Sequence, residues 1–129
     1  MMQVEITNII DETNRVKRFE LSTIDASVIE FVPGQFVQII HPDLPEFENT
    51  RSYSISSLKS GTNKIELCIA LNENGIFTPW LFQKSVGDIL KIRIFIRIQY
   101  SNDFTHFWHT NINIQFYFIF SYFTFSSSN

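Results

Sequence analysis

"KIELCIALNENGIFTPWLFQKSVGDILKI", residues 64–92, carries three local signals in a row. Its first part sets Ile65, Leu67, Ile69 and Leu71 at period two, the spacing of a strand with one buried face. Its last part starts another such strand after the "VGD" turn at 86–88, where Leu90, Ile92 and Ile94 alternate with Lys91 and Arg93. Between them, "FTPWLFQK" supplies the one credible helix. Thr78 is expected as its N-cap with Pro79 in the first helical position, where a missing N–H costs nothing. So short a helix has two open readings, a plug for one end of a barrel or an N-terminus that offers backbone N–H groups to an anion, and one helix can serve as both.

Upstream, short strand-like runs continue. "QVEIT" alternates Val4 and Ile6 with polar neighbours, and "VKRFELS" puts Phe19 and Leu21 on one face. "GQFVQII" is more continuously apolar, as in a strand buried on both faces. Turn signals separate the runs: "DETN" at 11–14, "PG" at 33–34 and "KSGTN" at 59–63. With the run around "RSYSIS" the count reaches six strands. The expected fold is mainly β, a six-stranded antiparallel Greek-key barrel with one short helix.

The chain has 129 residues, room for one domain with a real core. Its net charge of −3 argues against a nucleic-acid surface, which needs an excess of Lys and Arg. The start, "MMQVEITNII", lacks a basic n-region and a long apolar h-region, so no secretory signal is read there. One cysteine, Cys68, excludes an internal disulfide framework, and mid-strand between Leu67 and Ile69 it reads as a small, partly buried side chain rather than a nucleophile. The expected address is a reducing cytoplasm.

"NTRSYSISS", 49–57, is the stretch a plain strand does not need. Arg51 has a planar fork of donors suited to phosphate or carboxylate, and Tyr53 falls on the same face of a strand two residues on. A phenol beside a guanidinium suits an aromatic cofactor that carries a diphosphate. Ser54 adds a hydroxyl, but strict alternation sends it to the other face, so joint use of all three requires a twist, a bulge or the strand's end. A surface arginine beside an edge tyrosine remains the alternative reading of these residues taken alone.

In order along the chain stand "PGQF" with Pro33 and Gly34 fitting a type II turn, "RSYS", a strand ending before "GIFT", and "GD" leading into the last strand. This arrangement resembles the FAD-binding (FR-type) barrel domain of the ferredoxin–NADP reductase superfamily, over roughly residues 3–93. The resemblance implies FAD as cofactor and a role in electron transfer between nicotinamide, flavin and an acceptor. It implies that Arg51 pairs with the FAD diphosphate, that Tyr53 stacks on the isoalloxazine or ribityl chain, and that Ser54 lies near flavin N5, with Ser52 between them. Cys68, Ile69, Ala70 and Leu71 would lend backbone groups, and Gly75, Ile76, Phe77 and Thr78 would present N–H groups and a hydroxyl to the diphosphate. Many relatives carry one or two basic residues where this chain has Ala70 and Leu71. The family's catalytic unit also has a second, nucleotide-binding α/β domain, and no Gly-rich phosphate loop stands here. The implied partners are therefore FAD and a separate NAD(P)H-binding or electron-acceptor protein, and the chain alone is expected to bind flavin without competent NAD(P)H oxidation. The competing expectation from another class is a non-catalytic remnant or a flavin-free β-barrel binding module.

From Ile94 the composition breaks. Eight of the fourteen Phe follow it, Gly, Pro, Leu, Val, Ala, Glu and Lys vanish, and Arg97 and Asp103 are the only charges. Residues 1–93 therefore read as the barrel domain and 94–129 as an atypical tail. Three readings of this tail compete: an added hairpin, a membrane-seeking segment, and out-of-frame translation, which its Phe, Ile, Asn, Tyr and Ser, the residues of T- and A-rich codons, favour. The best apolar window, "INIQFYFIFSYFTF", is interrupted by Gln115, Ser121 and Thr124 and falls short of the roughly 20 residues a spanning helix needs. His106 and His109 in "HFWH" lack a nearby carboxylate or cysteine and read as incidental rather than a metal pair.

Overall fold

A computed structural model of the chain describes residues 1–32 and 34–94, so the expectations for the tail from residue 95 onward lie outside the described residues. All six expected strands form: β1 (Met2–Asp11), β2 (Val16–Thr23), β3 (Phe36–Ile40), β4 (Thr50–Ser54), β5 (Lys64–Ala70) and β6 (Ile89–Ile94). The helix α1 (Phe77–Phe82) lies between β5 and β6. The strands make one sheet in the order β4-β3-β6-β1-β2-β5, with every neighbouring pair antiparallel. β6, the last described strand, lies between β1 and β3, so the connection from β2 to β3 passes from one half of the sheet to the other. The sheet curls until its edges meet, among the described residues by the one bridge Ile55–Leu67 just past β4, with the Ser56 N–H donating to the Glu66 carbonyl at 2.9 Å and the Glu66 N–H to the Ser57 hydroxyl at 3.2 Å. The expected barrel is thus barrel-like, without a continuous closing ladder.

Alternation does what the sequence implies. Val4, Ile6, Phe19, Leu21, Val37, Ile39, Ile65, Leu67, Ile69, Leu90 and Ile92 all face inward and form one core cluster. Each such side chain contributes about 1.5–3 kcal/mol by leaving water. Two readings need correction. β3 is not buried on both faces: Val37 and Ile39 are fully buried, whereas Phe36, Gln38 and Ile40 are half-buried. β1 runs past Thr7 to Asp11, because a bulge between Ile6 and Asn8 shifts its register against β2. The bulge breaks strict alternation and lets Ile9 pack on the core after two exposed positions.

The turn before β3 closes with the Gln35 N–H donating to the Val32 carbonyl at 3.1 Å. Gly34 sits there at φ 90, the positive value expected of the third residue of a type II turn. Before β6, Gly87 at φ 98 turns the chain while its N–H reaches the Ile6 carbonyl at 2.8 Å, which ties the turn to the bulge.

Thr78 is not the N-cap. The N-cap position is Ile76, with no side-chain cap, and Thr78 is the second helical residue. Its hydroxyl is used locally: it accepts the Asn72 N–H at 2.8 Å and donates to the Asn72 carbonyl at 3.3 Å, clasping the loop that leads into the helix. Pro79 falls third in the helix, still within the first turn, where N–H groups have no intrahelical partner. Phe77 and Leu81, four apart, form the buried face of α1. Lys17 of β2 fastens the far end, donating to the Phe82 carbonyl at 3.4 Å with its ammonium 5.1 Å from the Phe82 ring centroid.

Leu67 is fully buried at the one point where β4 and β5 meet. Leu67→Ala is expected to destabilise the domain by about 2–5 kcal/mol in urea denaturation.

Candidate functional site

The backbone phase of the ladders decides what β4 and β5 offer. The His41 N–H donates to the Asn49 carbonyl at 2.7 Å and the Ile55 N–H to the Gln35 carbonyl at 3.0 Å. In antiparallel pairing the bonded pairs alternate, so Arg51 and Tyr53 turn their backbone groups to β3, and Thr50, Ser52 and Ser54 turn theirs to the opposite edge. On β5, the Thr23 N–H reaches the Asn63 carbonyl at 2.9 Å and the Leu71 N–H reaches the Arg15 carbonyl at 2.8 Å. Ile65, Leu67 and Ile69 therefore face β2, and Cys68 and Ala70 face away from it. By its antiparallel phase the Ile55–Leu67 bridge takes in the adjoining Ser54 carbonyl and Cys68 N–H, and no ladder between β4 and β5 continues to Ser52 and Ala70. The result is two strand edges that come together at one end without a shared ladder, made of residues the sequence singled out. Of the four expected backbone contributors on this strand, Cys68 and Ala70 face away from β2, while Ile69 and the Leu71 N–H are engaged on the β2 side.

Arg51 and Tyr53 share a face, as expected, opposite Ile39 and Val37 of β3. Ser54 takes the other face and is the last residue of β4, so β4 itself needs no bulge. The Ser54 hydroxyl is buried and has no hydrogen-bond partner. A buried hydroxyl left so is costly by roughly 1–3 kcal/mol, so a ligand acceptor or donor brought to this strand end would relieve it. Ser52 is also buried, at 6 % exposure.

Arg51 is exposed, its Nη1 donating to the carbonyls of Glu48 at 3.2 Å and Thr50 at 2.8 Å. Its Cζ lies 5.5 Å from the centroid of the Phe77 ring. Tyr53 is part of the core cluster, with its ring centroid 6.4 Å from that of Phe77. At 9 % exposure it offers a ligand little of its ring. Burial raises its phenol well above the ordinary tyrosine range, with the Arg51 guanidinium pulling weakly the other way. In the segment from Gly75 to Thr78, the Gly75 N–H is taken by the Asn72 carbonyl at 3.1 Å, Ile76 is exposed, Phe77 is buried, and Thr78 holds Asn72. A Cβ on Gly75 would come within 3.3 Å of the Asn72 side chain, so the loop is tight at this point. Cys68 is half-buried, and burial pushes its thiol up, against a hydrogen bond from Ser56 that lowers it; it is no ready thiolate.

Two residues the sequence reading missed complete the cluster. His41, at the end of β3, stacks on Trp80 at 4.2 Å between centroids and meets Phe77 at 5.9 Å. Trp80 meets Phe77 edge-on at 5.3 Å. The spacing of Phe77 and Trp80, three apart on a helix, was the available signal for the second. Nothing local marks His41.

Because the Tyr53 phenol is held neutral by burial, its folded pKa lies above its unfolded one. The stability this contributes is whole below about pH 10 and is lost as pH rises beyond the unfolded value. In an alkaline ultraviolet titration, Tyr53 is expected to ionise later than an ordinary tyrosine. The late component should be missing from Tyr53→Phe, whose stability should fall less steeply above about pH 10.

The profile of the family described as "Oxidoreductase FAD-binding domain" matches residues 2–95. No curated protein sequence matches the chain. Among solved structures, the chain is similar to the ferredoxin reductase in carbazole 1,9a-dioxygenase, at 28% identity and TM-score 0.62, covering 73% of this chain and 27% of that one. It shares its fold with phthalate dioxygenase reductase, at 15% identity and TM-score 0.63, covering 78% of this chain and 32% of that one. The same holds for the flavohem-like FAD/NAD binding domain of nitric oxide dioxygenase from Vibrio cholerae O1 biovar El Tor, at 21% identity and TM-score 0.61, covering 76% and 46%. The chain thus spans about a quarter of the length of the ferredoxin reductase it matches. With a profile match over most of its length, a six-stranded antiparallel sheet and one short helix, the chain belongs to the oxidoreductase FAD-binding domain family of ferredoxin reductase-like proteins, and FAD is its cofactor.

Proposed function

We propose that residues 1–93 hold FAD along the neighbouring edges of β4 and β5 and present it to a nicotinamide-binding unit supplied by another domain or chain. When bound, the flavin supplies hydride acceptance and onward electron release. The residues supply placement. Arg51 keeps its Nε–H and Nη2 groups for the diphosphate, the ends of β4 and β5 near Ser54 and Ala70 face the ring and ribityl polar groups, and the Ser54 hydroxyl gains a partner. Tyr53 supports the ring system from the core side. The observation that carries this reading is the buried, unpartnered Ser54 hydroxyl at the end of β4, on the strand whose exposed Arg51 lies over Phe77. Thr78 contributes by fixing the loop at Asn72 rather than by capping α1.

An electron acceptor and a source of NAD(P)H are the partners this role needs. A cytoplasmic setting accords with the single cysteine, and among the described residues no helix is long and apolar enough to cross a membrane. The tail from residue 94 is proposed to lie outside the flavin-holding unit. A flavin-free barrel is the second reading, favoured by the burial of Tyr53 among the chain's own side chains.

One experiment separates them. The purified chain titrated with FAD is expected to quench flavin fluorescence and to shift the visible flavin bands. Arg51→Ala should weaken binding about tenfold to a hundredfold, the loss expected of one charge-assisted contact worth about 1.5–3 kcal/mol. No quenching by the wild-type chain would favour the flavin-free barrel.

A further inference from the structure

Arg51 spends one nitrogen on backbone carbonyls and lays its guanidinium over the ring of Phe77. That ring is firmly held. Phe77 is 3% exposed, with Trp80 edge-on at 5.3 Å and His41 at 5.9 Å. His41 is fixed in turn by its stack on Trp80 and by the Asp43 N–H, which donates to its Nδ1 at 3.1 Å. A long cationic side chain on an exposed strand end would otherwise surrender much rotamer freedom on meeting a ligand. Here its plane is restrained beforehand, with Nε–H and Nη2 left over.

We infer that Phe77 is a positioning residue for the Arg51 clamp: braced by Trp80 and His41, its ring holds the guanidinium in the pose that receives the FAD diphosphate. This rests on the reading of Arg51 as the diphosphate contact. It gives the aromatic side chain before Thr78 a task distinct from the backbone N–H groups of that segment. The contact couples α1 to β4, so the helix acts on the anion through a side chain of another element.

The test is a double-mutant cycle on the full chain, read as FAD affinity by fluorescence quenching. Phe77→Leu keeps an apolar side chain and removes the ring face. It should weaken FAD binding about two- to fivefold when Arg51 is present, the range of a cation–π contact near the surface. It should cause no further loss in an Arg51→Ala background, and Phe77→Tyr should keep wild-type affinity. Thermal melting of each variant establishes that it is folded at the titration temperature, and Phe77→Met replaces Phe77→Leu should the latter unfold. Equal losses in both backgrounds, no loss in either, or failure of Phe77→Tyr to keep affinity overturns the inference and leaves the flavin reading standing. Failure of the wild-type chain to bind FAD overturns that reading and this inference with it.

Discussion

One bridge, Ile55 to Leu67, holds the two edges of the sheet together, and the functional reading follows from where that contact stops. Had β4 and β5 zipped along their whole length, the barrel would offer no strand edge to a cofactor along this seam. Because no ladder continues past the bridge, the edges of two strands adjoin without a shared set of bonds. Antiparallel phase then determines which residues serve: every second one on each strand. Leu67 is fully buried beneath the bridge, so the seam is held shut at one end by core packing.

The aromatic cluster carries that rigidity to the exposed arginine. Phe77 belongs both to the hydrophobic core and to the contact with Arg51, and Tyr53 lies between the same core and the strand that bears the clamp. A six-residue helix has too little dipole and too few turns to act as an independent element. Its weight comes from what it buries, Phe77 and Leu81, and from the Lys17 tie at its end. The Thr78 clasp on Asn72 sets the entry angle.

Much of the strand content was legible because a sheet with one buried face imposes period two. Ile65, Leu67 and Ile69 announce β5, and Leu90 and Ile92 announce β6. The far half of β1 was hidden for the same reason: its bulge at Thr7 and Asn8 breaks the period, so Ile9 no longer lines up with Val4 and Ile6. The pairing of Arg51 and Tyr53 on one face was also readable, since β4 is regular. Their surroundings were not. The burial of Tyr53 and the stack of His41 on Trp80 depend on elements some forty residues apart in sequence, and no local pattern encodes which faces meet. The Thr78 cap was misread because a hydroxyl beside Pro79 looks the same whether it caps the helix or binds the loop before it; Asn72 wins the hydroxyl and the helix starts earlier.

The position of β6 has a consequence for how the molecule is made. It pairs with β1 on one side and β3 on the other, so without it the sheet among the described residues is two pieces, β4-β3 and β1-β2-β5, joined at Ile55–Leu67 and the adjoining bonds of Glu66 to Ser56 and Ser57. On a ribosome β6 emerges after the five other described strands, and the nascent chain must wait with two unsatisfied strand borders until residue 94 is out. Such wholly non-local completion is the slow kind of folding. The keystone of this sheet is the last of its described strands to be synthesised, and any interruption of translation before it leaves halves rather than a smaller barrel.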